Sequence, residues 1–306
     1  MKQSYDPRNK EIFVNIDGTL FPRDEAKVSV FDSLVQGGDG CWEGLRVYQG
    51  KIFRLGQHLK RLVHSAKALG FTQVPTEENI RQEIQRTLEA NAMHDGVHIR
   101  LTLSRGEKIT SGMDPRLNQK GPTLIVLAEH KAPVYDKQSL RLITSSLRRF
   151  PPDCLDPKIH HNNLLQSILA KIEANASGVD DALMLDLRGF VAETNATHIF
   201  QVAEGVLRTP RTVACPEGVT RATVLQLCRD HGIPYEVCDL SLAELYRADE
   251  VFCTGTMGEL ACVTEIDGRP IAPIGTEEAP APGPLTRRLS GLYGELTRQE
   301  SEAILF

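Results

Sequence analysis

A chain of 306 residues exceeds the usual size of one compact core, so two domains are expected. Hydrophobic residues make up 41% and charged residues 25%, the balance of an ordinary globular protein. The net charge of −5 argues against nucleic-acid binding through bulk positive charge, and no apolar run approaches the ~20 residues that span a membrane.

Met1 to Arg8 lack the apolar stretch of a secretory signal, which makes the cytoplasm the default. The seven cysteines are scattered and odd in number, with no C-x-x-C pair and no Cys/His cluster at zinc-ligand spacing. Reduced, mostly buried thiols and no metal are expected.

In chain order, residues 41–53 read as strands with a hairpin turn at Gly50-Lys51. Leu55, Leu59, Leu62, Ala66 and Leu69 recur every three or four residues, which predicts an amphipathic helix ended by Gly70. Residues 97–104 and 123–128 are apolar and β-branched enough for strands. The pattern breaks at Ala132-Pro133, which places a linker near 129–137 and divides the chain into a smaller domain, 1–131, and a larger one, 132–306.

A strand at 140–145 follows, then a loop with Pro151, Pro152 and Pro157. Leu164, Leu165, Ile168, Leu169 and Ile172 form the apolar stripe of a helix. Residues 181–187 and 196–202 read as strands, with a turn at Arg188-Gly189, and 220–231 as a helix opening just after Gly218. A surface loop at 280–284 precedes a final helix, and no internal repeat is visible. Strands clustered in each half, with helices among them, predict α/β (α+β) halves and not one Rossmann sheet.

Five stretches carry chemistry. The run 180–200 holds Glu193 after the apolar Phe190-Val191-Ala192. Gly38 to Tyr48 is a glycine-rich strand with Trp42 and Arg46, and Phe53 to Lys67 is a helix carrying Arg61. Pro216-Glu217-Gly218-Val219-Thr220-Arg221 starts a helix whose free N–H groups attract an anion. Gly255-Thr256-Met257-Gly258-Glu259 is a second glycine-flanked turn. Taken alone, a Glu at a strand end or an Arg on a helix is ordinarily a solvated surface residue.

In this order, from Gly38 to Gly258, the stretches resemble the class IV (fold-type IV) pyridoxal-phosphate-dependent aminotransferases. The resemblance implies a two-domain architecture with the pocket between the domains, pyridoxal phosphate as cofactor, and a homodimer. It implies that Glu193 pairs with the pyridinium nitrogen. Arg61, Val219, Thr220, Thr256 and Met257 would then hold the phosphate, for which the planar fork of Arg is well suited. Trp42 and Arg46 would line the substrate pocket. Arg100 matches an arginine of the branched-chain enzymes and Arg105 one of the D-amino-acid enzymes, while Glu43-Gly44-Leu45-Arg46 leans to the branched-chain side.

The pattern departs at one decisive point. Aligned without gaps on Asn163 and Glu173-Ala174, the position of the family's Schiff-base lysine is occupied by His160, with Lys158 two residues earlier. His198 also stands where the family commonly has Asn. Three readings remain open. Lys158, about 6.6 Å back on the same face of a strand, reaches the cofactor. Alternatively, a bulge puts Lys158 itself in the usual place. Or no lysine serves the site, leaving His160 and His161 as acid–base candidates. The function implied is amino-group transfer between an amino acid and a 2-oxo acid. The alternative is a lysine-free homologue with lyase-like chemistry, or a binding protein without catalysis.

Overall fold

The computed structural model describes residues 5–133, 139–273, 275 and 282–303. The chain forms two compact units. One comprises residues 2–132 together with 159–163 and 297–306; the other comprises 133–158 and 164–296.

The first unit is built on strands β1 (Phe13–Ile16), β2 (Thr19–Pro22), β3 (Gly40–Tyr48), β4 (Lys51–Phe53), β5 (Val97–Ser104) and β6 (Thr123–His130). With the C-terminal strand Ser301–Ala303 they make a seven-stranded antiparallel sheet, in the order C-terminal strand, β4, β3, β5, β6, β1, β2. Helices α1 (Ser33–Gly37), α2 (Leu55–Ala68) and α3 (Glu77–Ala90) belong to the same unit. Leu55, Leu59, Leu62 and Ala66 of α2 are fully or almost fully buried against Leu45, Val47, Ile99 and Leu101 of the sheet, as the spacing predicts. Sequence reading misses α3, although Thr76 caps it by accepting from the Asn79 N–H, and Ile80, Ile84 and Leu88 are its buried face.

The second unit holds β7 (Leu140–Arg148), α4 (Pro152–Leu155), α5 (Leu165–Ala176), β8 (Asp181–Leu185), β9 (Val191–Thr194), β10 (His198–Ala203), β11 (Val206–Pro210), α6 (Val219–Asp230), β12 (Tyr235–Cys238), α7 (Leu242–Tyr246), β13 (Glu250–Gly255), β14 (Glu259–Ile266), β15 (Arg269–Pro270) and most of α8 (Pro284–Gln299). Its mixed sheet runs β12-β11-β10-β13-β14-β7-β8-β9, with β15 on β14. The β11–β12, β14–β7 and β7–β8 pairs are parallel.

Two expectations change. Helix α5 forms where predicted, but its apolar stripe faces outward: Leu165, Ile168, Leu169 and Ile172 are exposed. Ala170 and Ala174 are the residues it buries, against Ala182 and Met184. Small residues let the helix lie close to the sheet, so the large ones are turned away. Lys158 and His160 are also not on a strand. Residues 157–159 form a turn and bend, and only His161 makes an isolated bridge, to Cys41. The same-face argument for Lys158 therefore does not apply. Residues 134–138 of the expected linker, and 280 and 281 of the expected loop, lie outside the described residues.

The start of β3 depends on Asp32, fully buried at the N-cap of α1. It accepts from the Leu34 N–H at 2.8 Å, the Ser104 hydroxyl at 3.0 Å and the Thr123 hydroxyl at 2.9 Å. Gly38 closes the same helix at φ 66°, a left-handed conformation that costs a residue with a Cβ. Asp32→Ala leaves a helix end uncapped and two buried hydroxyls without their acceptor. A loss of about 1–3 kcal/mol is expected in urea denaturation, with Asp32→Asn milder.

Candidate active site

Burial along β3 alternates, and Glu43 falls in phase with Cys41, Leu45 and Val47 on the apolar face. Its carboxylate is completely buried, which requires compensating donors. Arg61 of α2 grips it with a fork, Nε to Oε1 and Nη2 to Oε2, both 2.7 Å. His58, one turn earlier on α2, places Nδ1 2.7 Å from Oε2. Burial opposes the charge, but Arg61 and then His160 outweigh it and hold the Glu43 carboxyl well below the usual range.

His160 is fixed by main-chain bonding. The segment 159–163 lies along the start of β3: Trp42 N–H donates to the His160 carbonyl and Asn162 N–H to the Gly40 carbonyl, each at 2.9 Å. The His160 N–H donates to the Ser65 hydroxyl at 3.1 Å. Its ring stacks on Trp42 with centroids 4.3 Å apart, and Nδ1 lies 2.5 Å from the Trp42 carbonyl oxygen and 3.6 Å from Glu43 Oε1. Burial first, then the Arg61 charge, pushes its pKa below the ordinary imidazole value, against the pull of Glu43.

The register of β3 on β5 brings three predicted substrate residues to one face. Trp42 pairs with Thr102, Gly44 with Arg100 and Arg46 with His98. Arg100 lies 3.5 Å over the Trp42 ring and donates to the Asn162 side-chain oxygen at 3.0 Å. Arg46 donates to the Lys131 carbonyl at 3.1 Å. His98, between these cations, is pushed down to about 3 by burial and then by Lys131, Arg100 and Arg46. Arg105 is not part of this face. It forks onto Asp39 at 2.6 and 3.1 Å and donates to the Leu69 and Gly70 carbonyls.

In the second unit Glu193 sits on β9, 3% exposed and opposite Met184 of β8. Its Oε1 lies 2.6 Å from Nη2 of Arg149, which also donates to Ser167 and to the Thr194 carbonyl. Gly218 is the N-cap of α6, so the N–H groups of Val219 and Thr220 have no acceptor within the helix. A Cβ on Gly218 would come within 2.2 Å of His198 Nε2, so only glycine fits beside that ring. Thr256 and Met257 form the turn after β13, and the neighbouring Thr254 hydroxyl is buried with no hydrogen-bond partner among the described residues. Lys158 is exposed, its N–H bonded to Asp156 at 2.9 Å. Its charge is felt at the buried Cys215 thiol. That thiol is raised by burial first and by Glu193, and eased by Arg221, Arg149 and Lys158.

Sequence reading misses Glu43 as a functional residue, although a carboxylate in phase with an apolar alternation is the signal for it. It also misses Arg149. Only its position just after β7 distinguishes it, and nothing in the sequence pairs it with Glu193.

These features define a class. Residues 40–266 match the class IV aminotransferases, and the chain belongs to that family. It is 54% identical over 292 residues to the branched-chain-amino-acid aminotransferase-like protein 2 of Arabidopsis thaliana, covering 95% of this chain and 51% of that one. The chain thus spans about half the length of its plant relatives. A putative branched-chain-amino-acid aminotransferase of Methanocaldococcus jannaschii is 42% identical over 259 residues, 84% of this chain and 89% of that one. Among solved structures, the branched-chain aminotransferase from the archaeon Thermoproteus uzoniensis with norvaline superposes with a TM-score of 0.85 at 30% identity, covering 95% of this chain and 96% of that one. The fold is therefore fold-type IV.

Glu43→Ala leaves Arg61 and His58 facing a buried gap, and a loss of about 3–5 kcal/mol is expected. Acid should act through the same groups. Imidazoles with depressed folded values stay neutral while the unfolded chain takes up protons, so stability falls as pH drops below about 6.5. Glu43 adds a further loss with the same sign below about pH 4.5, as its depressed carboxyl is finally protonated. Urea midpoints measured from pH 8 to 4 check this, and His98→Gln should flatten the upper part of the slope.

Proposed function

We propose that this chain is a pyridoxal-phosphate-dependent aminotransferase that moves amino groups between branched-chain-like amino acids and 2-oxo acids. The observation that carries the reading is the buried Glu193, in the same unit as the α6 start and the Gly255–Gly258 turn. The donor set suits the cofactor: a buried carboxylate for a ring nitrogen, and a glycine-tight helix start whose first N–H groups have no acceptor within the helix, for a phosphate.

Bound pyridoxal phosphate supplies the electron sink. In this reading Glu193 holds the ring-nitrogen proton, with Arg149 fixing its carboxylate. Val219, Thr220, Thr256 and Met257 bind the phosphate, while Arg61, expected there, has its fork on Glu43. Trp42, Arg46 and Arg100 orient the amino acid, while Arg105 is engaged by Asp39. Lys158 supplies the amine that an imidazole at His160 cannot, and it belongs to the same unit as Glu193 and the α6 start.

The test is an absorbance titration with pyridoxal phosphate, then borohydride reduction and peptide mapping. The expected result is a cofactor band, a label on the Lys158 peptide, and loss of label and activity in Lys158→Ala. A parent that binds no cofactor overturns the function, and a label elsewhere overturns Lys158.

We also propose a homodimer in a reducing, cytoplasmic compartment. The outward stripe of α5 supports the dimer and the seven free thiols the compartment. Light scattering at micromolar concentration should report twice the chain mass, reduced by Ile168→Lys if α5 takes part. A monomer in the parent sinks the dimer.

A further inference from the structure

The lysine of such an enzyme has two tasks, attachment and proton transfer, and His160 stands where that lysine is expected. A carbonyl oxygen only accepts, so the 2.5 Å contact with Trp42 requires the hydrogen of His160 to be on Nδ1. Glu43 Oε1, 3.6 Å from the same nitrogen, reinforces that form. Nε2 makes no hydrogen bond to any described residue. The side chain retains 15% exposure. A carboxylate behind Nδ1 and an uncommitted Nε2 in front is the arrangement of an oriented base.

We propose that Glu43 and His160 form a proton-transfer dyad, with Glu43 and the Trp42 carbonyl holding His160 in its Nδ1–H form and Nε2 accepting the proton. This rests on the aminotransferase reading and divides the usual lysine's work, attachment to Lys158 and proton transfer to His160. Bound pyridoxal phosphate would supply the sink for the electron pair of the amino acid's Cα–H bond; His160 Nε2 would take that proton and hand it to the cofactor carbon that receives the amino group, so the imidazole would end neutral. Glu43 is the positioning residue and His160 the catalytic one. The charged and titratable groups around the Trp42–His160 pair are Glu43 on β3, Arg61 and His58 on α2, and Arg100 on β5.

Trp42 is the only tryptophan of the chain, so its fluorescence reads the ring stacked on it. A protonated imidazole quenches indole emission. In the parent without added cofactor, emission should fall in a single transition on acidification. His160→Gln should abolish the transition, and Glu43→Gln should move its midpoint to lower pH, because a carboxylate that favoured the charged ring is gone. A transition that survives His160→Gln, or a midpoint unmoved in Glu43→Gln, overturns the dyad.

The second arm follows exchange of the Cα hydrogen of a branched-chain amino acid with deuterated solvent, using protein loaded with pyridoxal phosphate. His160→Gln should keep the cofactor band and lose exchange by about 10²–10⁴-fold. Undiminished exchange in that variant, or none in a cofactor-loaded parent, overturns the base role. A parent with no cofactor band sinks the aminotransferase reading instead, while the fluorescence arm still decides how His160 is held.

Discussion

A carboxylate with no access to water, on the apolar face of a strand, sets the terms for the first unit. An isolated charge there would cost several kcal/mol, and Glu43 is tolerated because α2 and the segment 159–163 bring donors to it. That requirement decides which face of α2 turns inward. Leu55, Leu59 and Leu62 fill the core beside His58 and Arg61, so one helical stripe is both apolar and cationic. The same requirement brings the His160 imidazole to the Trp42 ring. Packing and chemistry are joined at one side chain.

The second unit contains a parallel solution with a different balance. Glu193 is almost as deeply buried and meets a guanidinium, that of Arg149. Glu43 meets the Arg61 fork and two imidazoles, His58 and His160, which hold its carboxylate in place. In both units a strand carries a buried glutamate that an arginine from another part of the same unit neutralises.

The sequence is most legible where periodicity is strict. The 3.6-residue spacing of α2 and the alternation of β3 and β5 place the core as expected. Helix α5 shows the limit, because an apolar stripe does not state which way it faces. Ala170 and Ala174 pack closely enough to win the inner face, and the larger residues remain outside. The glycine turns at Gly218 and Gly255 are readable because glycine leaves room that another residue would fill. Contacts across long separations are not readable. The bonds of Trp42 to His160, and of Arg149 to Glu193, join elements whose proximity no local pattern encodes. Lys158 is an intermediate case, since its identity is visible in sequence and its position in a turn is not.

The discontinuous first unit has a consequence for synthesis. Its sheet is incomplete when residue 132 leaves the ribosome, because the start of β3 is covered by residues 159–163 and β4 is flanked by Ser301–Ala303. Until those residues emerge, two strand margins offer unpaired N–H and C=O groups to any neighbouring chain. The nascent protein therefore carries a sticky edge throughout the making of its second unit, and a chain stalled before Ser301 would be released in that open state.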